Sequence, residues 1–489
     1  MASVGQPLLS TADYSQNSDA SSTETPSKQE DYTPWSSIYM CGFCAIIQAV
    51  QFSIYFSSLW PYLISIDRDM QETMLGFIVA MYSLAQCIGA PTFGFWSNRI
   101  EQVRIPLMTG FTFMLAGNFL YLCAQFVPIA VVPFVMVAAR FITGSGTGNA
   151  TVLRTYVVSA STIKDRSRAI SCVTGGIAVG SMCGPGLQLL FTPLGTEGFH
   201  IGPFRLNIYT APAAFSMIMN IAGIILIGKF FEEKKIVYET PKSEENGHTI
   251  GMDLLAIGLC IFTRFSQIFS STTMDTIGSP YTMMMFDLDK EQAVAWNSGV
   301  HAVSGVLGVV FYVFFIMFDF TKFLPERICC VSALFTVLVF FLATLSYPFL
   351  GVQVPGRING SDQGCDFDRF SWCDGLTTSS PWIFYGFYIV VFGLSWSFLN
   401  IGMTTLYSKI IGPRKQGTLQ GFFQMAGSVG RLVSPLLMSF VYTFFGPRMI
   451  WWMEIVLILI VLITWYIFFG RMVPFHERQK KKSQETSST

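Results

Sequence analysis

The stretch EEKKIVYETPKSEENGHTIG, residues 232–251, interrupts a chain otherwise dominated by apolar runs, and it divides those runs six and six. An apolar segment of about 20 residues crosses the hydrocarbon core as a helix. Six such segments precede the stretch, at 38–60, 74–96, 105–126, 129–156, 169–192 and 207–231. Six follow it, at 252–280, 292–318, 328–348, 382–407, 417–445 and 449–470. Two six-span halves are typical of transporters built from repeats. The expected fold is therefore an all-α membrane protein of twelve transmembrane helices in two pseudo-symmetric six-helix bundles, 36–231 and 252–470. Residues 232–251 link them, 1–35 form a Ser/Thr-rich disordered tail, and 471–489 a basic one. Internal similarity is faint: Gly180–Pro185 and Gly427–Pro435 share only Gly-Ser and a later Pro.

Composition excludes the other broad classes. At roughly 150 residues per domain, 489 residues would make about three soluble domains. Charged residues are only 12% of the chain, however, and apolar residues 52%, with 46 Phe; soluble domains carry roughly 25% charge. Lys+Arg and Asp+Glu balance at 30 each, so no basic excess points to nucleic acid. No nucleophile elbow, Walker loop, zinc spacing or dinucleotide fingerprint occurs in a plausible context, so neither an enzyme nor a cofactor is expected. Nine of the eleven cysteines lie in apolar runs as small hydrophobes, Cys41 and Cys44 among them. Only Cys365 and Cys373 share a polar loop, 349–381, where an oxidising compartment would make them a disulfide.

Loop charge sets the direction of the spans. With the amino terminus cytosolic, twenty Lys and Arg fall on the cytosolic side, six on the other, and four (Arg140, Arg154, Arg264, Arg431) inside spans. Both termini are then cytosolic. The same topology places 349–381 on the far side, where Asn359-Gly-Ser361 is a glycosylation acceptor.

The turn after span two reads Gly94-Phe-Trp-Ser-Asn98-Arg99, with Arg104 following. It resembles the signature between the second and third helices of the major facilitator superfamily, with Asn98 where an Asp is usual. The resemblance implies a tight helix contact and cationic groups latching the two halves, and the missing carboxylate predicts a weaker latch. Arg140-Phe-Ile-Thr-Gly144, with Gly148 beyond, resembles that superfamily's R-x-x-x-G element. Gly176, Gly180 and Gly184 followed by Pro185 resemble its gating element.

A narrower resemblance covers nearly the whole chain. It rests on Trp60-Pro-Tyr-Leu63, Tyr82-Ser-Leu84 with Gln86, Gly94 with Trp96-Ser-Asn98, and Gly148-Asn149 with Arg154 and Tyr156. In the second half it rests on Glu291-Gln-Ala-Val294 with Asn297, Glu326-Arg327, and Thr405-Leu-Tyr-Ser-Lys409 with Gly412-Pro413 and Gln416-Gly417. These stretches resemble the lysosomal family called major facilitator superfamily domain-containing protein eight, or neuronal ceroid lipofuscinosis protein seven. The resemblance implies a twelve-helix endolysosomal membrane protein, treated as a carrier and also proposed to conduct chloride. It also implies an amino-terminal dileucine signal for clathrin adaptors: Gln6-Pro7-Leu8-Leu9 matches its core, while Ser3, Val4 and Gly5 stand where an acidic residue is usual.

Charges inside spans are costly and mark function. Arg140 lies about 11 residues into span four, Arg264 about 12 into span seven and Arg431 about 14 into span eleven. Arg154 lies near the cytosolic end of span four. Asp275 follows Arg264 by eleven residues, on the same face but roughly 16 Å away, too far to pair. It precedes Gly278-Ser-Pro280, which predicts a helix break. Four arginines against one clear intraspan carboxylate favour an anion, and the glycines at 421, 427 and 430 leave room around Arg431. His301, in span eight, reads as a packing residue or a lumenal proton sensor. The expected protein is a monomeric alternating-access carrier of a small solute, with a chloride channel and a non-transporting scaffold as competing readings.

Overall fold

The structure, a computed structural model, describes residues 32–55, 59, 62–63, 72–162, 164–195, 197–202, 204–233, 252–288, 290–318, 325–349, 352–356, 364–365, 367, 370–479 and 484. Leu8, Leu9, Asn359 and most of the 232–251 linker lie outside them. Thr33–Thr489 form one unit.

Eleven helices among the described residues are long and apolar enough to cross a membrane. The last of them, Gly417–Phe468, has 52 residues. At 1.5 Å per residue it would extend about 78 Å, against a hydrocarbon core of about 30 Å. It is not one straight rod. Gly446 takes φ 76° and ψ 176°, a conformation that glycine adopts without penalty, and Pro447 after it has no N–H to lose from the helical ladder. The helix is thus divided at Gly446 into spans eleven (417–445) and twelve (447–468), which gives the expected twelve. Span four is itself interrupted: helices Val132–Gly146 and Asn149–Ala160 meet at a turn through Thr147 and Gly148. Between spans five and six a short hairpin pairs Phe199–Ile201 with Phe204–Leu206.

Glycine lets the spans of the first half approach closely. A Cβ on Gly176 or Gly180 would strike the carbonyl oxygens of Gly42 and Ile46, which seats span five on span one. One on Gly184 would strike the Ser53 hydroxyl, and one on Gly144 the Tyr82 carbonyl of span two. Pro185 lies in the final turns of helix Arg166–Leu189. In the second half Glu326 and Lys409, both carried by the narrower resemblance, form an ion pair between spans nine and ten.

The break expected at Gly278–Pro280 does not occur. Helix Leu254–Met285 runs through Pro280 unbroken. Proline removes one backbone hydrogen bond, that to the carbonyl four residues earlier, a loss that membrane helices tolerate. Here Thr282 Oγ1 donates to the Ser279 carbonyl, and Tyr281 stacks on Trp451 at 4.3 Å between centroids, which anchors this turn to span twelve.

The loop between spans nine and ten packs on its own bundle through Cys365 and Cys373, which form a disulfide with Cα atoms 6.1 Å apart. Both are buried among Val354, Leu376 and Met284.

Candidate functional site

The two halves meet at the end that carries the linker. Gly94 of span two and Gly417 of span eleven touch backbone to backbone, with no space for a Cβ on either. Gly421 lies beside Pro91, a Cβ on it falling 2.6 Å from the proline Cα. Asn98 accepts from the Gly417 N–H at 2.9 Å and donates to Thr418 Oγ1 at 2.9 Å. The first-turn N–H groups of a helix have no intrahelical acceptor, so a side chain from one half completes the start of a helix in the other. At the position where an acidic residue is usual, Asn98 thus joins the halves through two neutral hydrogen bonds. Arg99 is exposed. The ion pair across the halves uses Glu101 and Lys415 instead.

Deeper in, three of the four intraspan arginines gather where the halves face each other. Arg154, Arg264 and Arg431 are electrostatic neighbours. Each meets neutral groups. Arg154 donates to the Gln424 amide oxygen across the halves. Arg264 donates from Nη1 to Gln267 Oε1 at 2.9 Å and Asn400 Oδ1 at 2.6 Å, over the Phe423 ring. Arg431 reaches Gln86 Oε1 of span two at 3.5 Å and lies 4.9 Å from the centre of the Phe52 ring. Among the described residues none of these arginines forms a salt bridge, and Nε of Arg154 and of Arg264 is buried without a partner. Gly427 makes the space: a Cβ on it would lie 3.3 Å from Arg264 Nε.

Arg140 stands apart, its guanidinium 4.1 Å from the centre of the Tyr55 ring. That ring belongs to a buried network across spans one, three and six. Tyr55 donates to Asn118 Oδ1 at 2.6 Å, Asn118 Nδ2 to Gln51 Oε1 at 3.0 Å, and Gln51 Nε2 to Asn220 Oδ1 at 2.8 Å. Such a network braces a bundle while its members are satisfied.

Asp275 does not pair with Arg264, as its spacing required. It lines a cavity of about 110 Å³ in the second half, at the end holding the 349–381 loop. Asn297, His301, Tyr385 and Tyr388 line it too. Tyr388 Oη lies 3.1 Å from His301 Nε2. His301 is therefore not a buried packing residue; it carries exposed surface, as does Asp275. Among the described residues, the ionisable side chains that act electrostatically on Asp275 are His301 and Arg431.

Asp275 is not the one carboxylate in the spans. Glu454 of span twelve is fully buried and accepts from Ser270 Oγ. Gln424 and Asn400 were not among the candidates read from the sequence, and Gln86 entered only through the family resemblance, because charge and not amide content marked the candidate positions. The available signal was an amide inside an apolar run, since a buried amide needs partners.

Twelve spans in two halves, closed on each other at the linker end around shared arginines, define a membrane transporter of the Major Facilitator Superfamily. The chain belongs to that superfamily, whose family model matches residues 41–434 and 370–489. Among particular proteins it is similar to Major facilitator superfamily domain-containing protein 8 of Xenopus laevis, 29% identical over 484 residues, 91% of this chain and 93% of that one. Multidrug resistance protein 1 of Bacillus subtilis is 23% identical over 163 residues, 33% of this chain and 38% of that one. Of solved structures, the human organic anion transporter MFSD10 (TETRAN) superposes with a TM-score of 0.64 at 14% identity, covering 88% of this chain and 100% of that one. The proton:xylose symporter XylE gives 0.63 at 14% identity, covering 89% and 95%. At such identities the likeness is one of fold.

Proposed function

We propose that this chain is an alternating-access carrier of a small anion in the endolysosomal membrane, with both termini cytosolic and the 349–381 loop lumenal. One observation carries the anion: Arg154, Arg264 and Arg431 converge from both halves with amides, not carboxylates, as partners. Like charges gathered in a low-dielectric interior repel, and each needs a counter-charge to offset its desolvation. An anion between the halves would supply it. Its contacts would also differ between the two facing states, because Arg154 belongs to one half and Arg264 and Arg431 to the other. The membrane assignment is supported by Leu8 and Leu9, by the acceptor at Asn359 and by the loop disulfide, all of which suit an endolysosomal protein with an oxidised lumenal face.

Arg431 is the residue assigned to meet the anion. The test is flux of chloride and of sulfate into vesicles containing the purified chain at matched protein levels. Arg431→Lys keeps the charge but loses the two-pronged guanidinium, so it should weaken sulfate flux more than chloride flux. Arg431→Ala should abolish both. Unchanged flux in a folded Arg431→Ala protein would remove the residue and most of the anion reading. Unitary currents in planar bilayers would instead identify a chloride-conducting pore.

A further inference from the structure

We propose that Asp275, His301 and Tyr388 form a proton-binding site open to the lumenal side, and that a proton bound there drives entry of the anion at Arg431. The coupling rests on the anion reading above; the site does not.

Three observations support it. The first is access. Two ionisable carboxyl side chains lie in the described spans of the second half apart from helix ends, and only one can be reached. Glu454 is fully buried against Ser270. Asp275 lines the cavity, which has room for several waters, the carriers a proton needs.

The second is chemistry. His301 projects into the same cavity from span eight, with Tyr388 of span ten 3.1 Å from its Nε2. Imidazole is the side chain whose charge changes between about pH 5 and pH 8, the interval separating an acidic lumen from cytosol. A carboxylate facing an imidazole can hold one proton between them, and the tyrosine hydroxyl, 3.1 Å from Nε2 and 3.4 Å from Nδ1, is a polar partner at the same ring.

The third is the neighbour. Among the described residues, the charged and titratable groups facing Asp275 are His301 from span eight, Tyr385 and Tyr388 from span ten, and Arg431 from span eleven. Arg431 is the residue assigned to the anion. While Asp275 is ionised, its charge competes with an incoming anion for that guanidinium. A proton on Asp275 ends the competition. Proton and anion then bind with positive coupling, each raising the affinity for the other by the same factor. A carrier with that linkage moves the two together.

The experiment uses the full chain in two preparations. In vesicles with an entrapped pH indicator, an inward chloride or sulfate gradient should acidify the interior, with membrane potential clamped. Asp275→Asn and His301→Gln should each reduce the protons moved per anion to background, and Tyr388→Phe should reduce that ratio partially; the ratio stays readable in a variant whose total flux has fallen. In detergent, infrared difference spectra between about pH 7.5 and about pH 5 should show a protonated-carboxyl band, lost in Asp275→Asn and shifted in His301→Gln. Anion flux with no proton movement and no such band would overturn the proposal and leave the anion reading standing. A band that responds to both substitutions, with no flux of either anion, would overturn the coupling and the anion reading and leave the proton site.

Discussion

Asn98, at the end of span two, caps the helix that begins at Gly417 in the opposite half, holding the backbone of one bundle with the side chain of the other. The contact joins the halves only when the linker end is closed. Asn98→Ala removes an acceptor from the Gly417 N–H and a donor to Thr418, each worth about 1 kcal/mol. A loss of one to two kcal/mol changes a two-state ratio by roughly 5- to 30-fold. The variant should fold normally and shift toward the state open at the linker end. Maleimide labelling of a cysteine introduced at Thr151, buried beside this contact, should rise above the background of native cysteines.

Gly94→Leu should have a stronger effect at the same place. A Cβ there meets the Gly417 carbonyl and lies 3.1 Å from Thr151 Cγ2. Because the severest clash is with Gly417 of the other half, and the contact with Thr151 of the same half is with the end of a side chain, the bundle itself should assemble while the linker end cannot close. Transport should fall at least about tenfold, since an alternating-access cycle needs both closed states, and thermal stability in detergent should change little. A Gly94→Leu protein that transports at the wild-type rate would exclude this contact from the cycle.

Gln86→Glu tests the arginine cluster without changing its shape. Gln86 Oε1 accepts from Ser428 at 2.9 Å and from Arg431 at 3.5 Å. A carboxylate in that position would supply Arg431 with a counter-charge and compete with the anion. Anion flux should drop about tenfold or more, the scale of a like-charge penalty of over about 1.4 kcal/mol, while melting temperature holds or rises. An equal loss of flux in Gln86→Leu, with lowered stability, would point to packing and not charge.

The disulfide in the 349–381 loop closes a short ring between Cys365 and Cys373. For a loop of this length the chain-entropy estimate is about 2–3 kcal/mol. Cys365→Ser should loosen the loop, which is held to the bundle by buried Leu376 and Val354. Proteolysis from the side proposed as lumenal should cut within 349–381 faster in the variant, and, if the proposed sidedness holds, Asn359→Gln should migrate faster than wild type on a denaturing gel through loss of glycan.

The spans, and the close approaches made by Gly144, Gly176, Gly180 and Gly184, were legible along the chain because hydrophobic length and small-residue spacing are local properties, written in consecutive residues. The candidate arginines were legible for the same reason: a charge in an apolar run is visible wherever it finally packs. Partners were not. Gln86 and Arg431 are 345 positions apart, and Asn98 and Gly417 are 319 apart; only the docking of one bundle on the other brings them within hydrogen-bond distance. The Gly278–Pro280 helix shows the same limit in reverse, since a local breaker signal lost to stacking of Tyr281 on span twelve. Asp275 and His301 lie on different spans, and no spacing rule relates their faces. Their common cavity, and the charge of Arg431 beside it, were decided by how spans seven, eight, ten and eleven pack, because electrostatic neighbours in a bundle are set by distance in space and not by order along the chain.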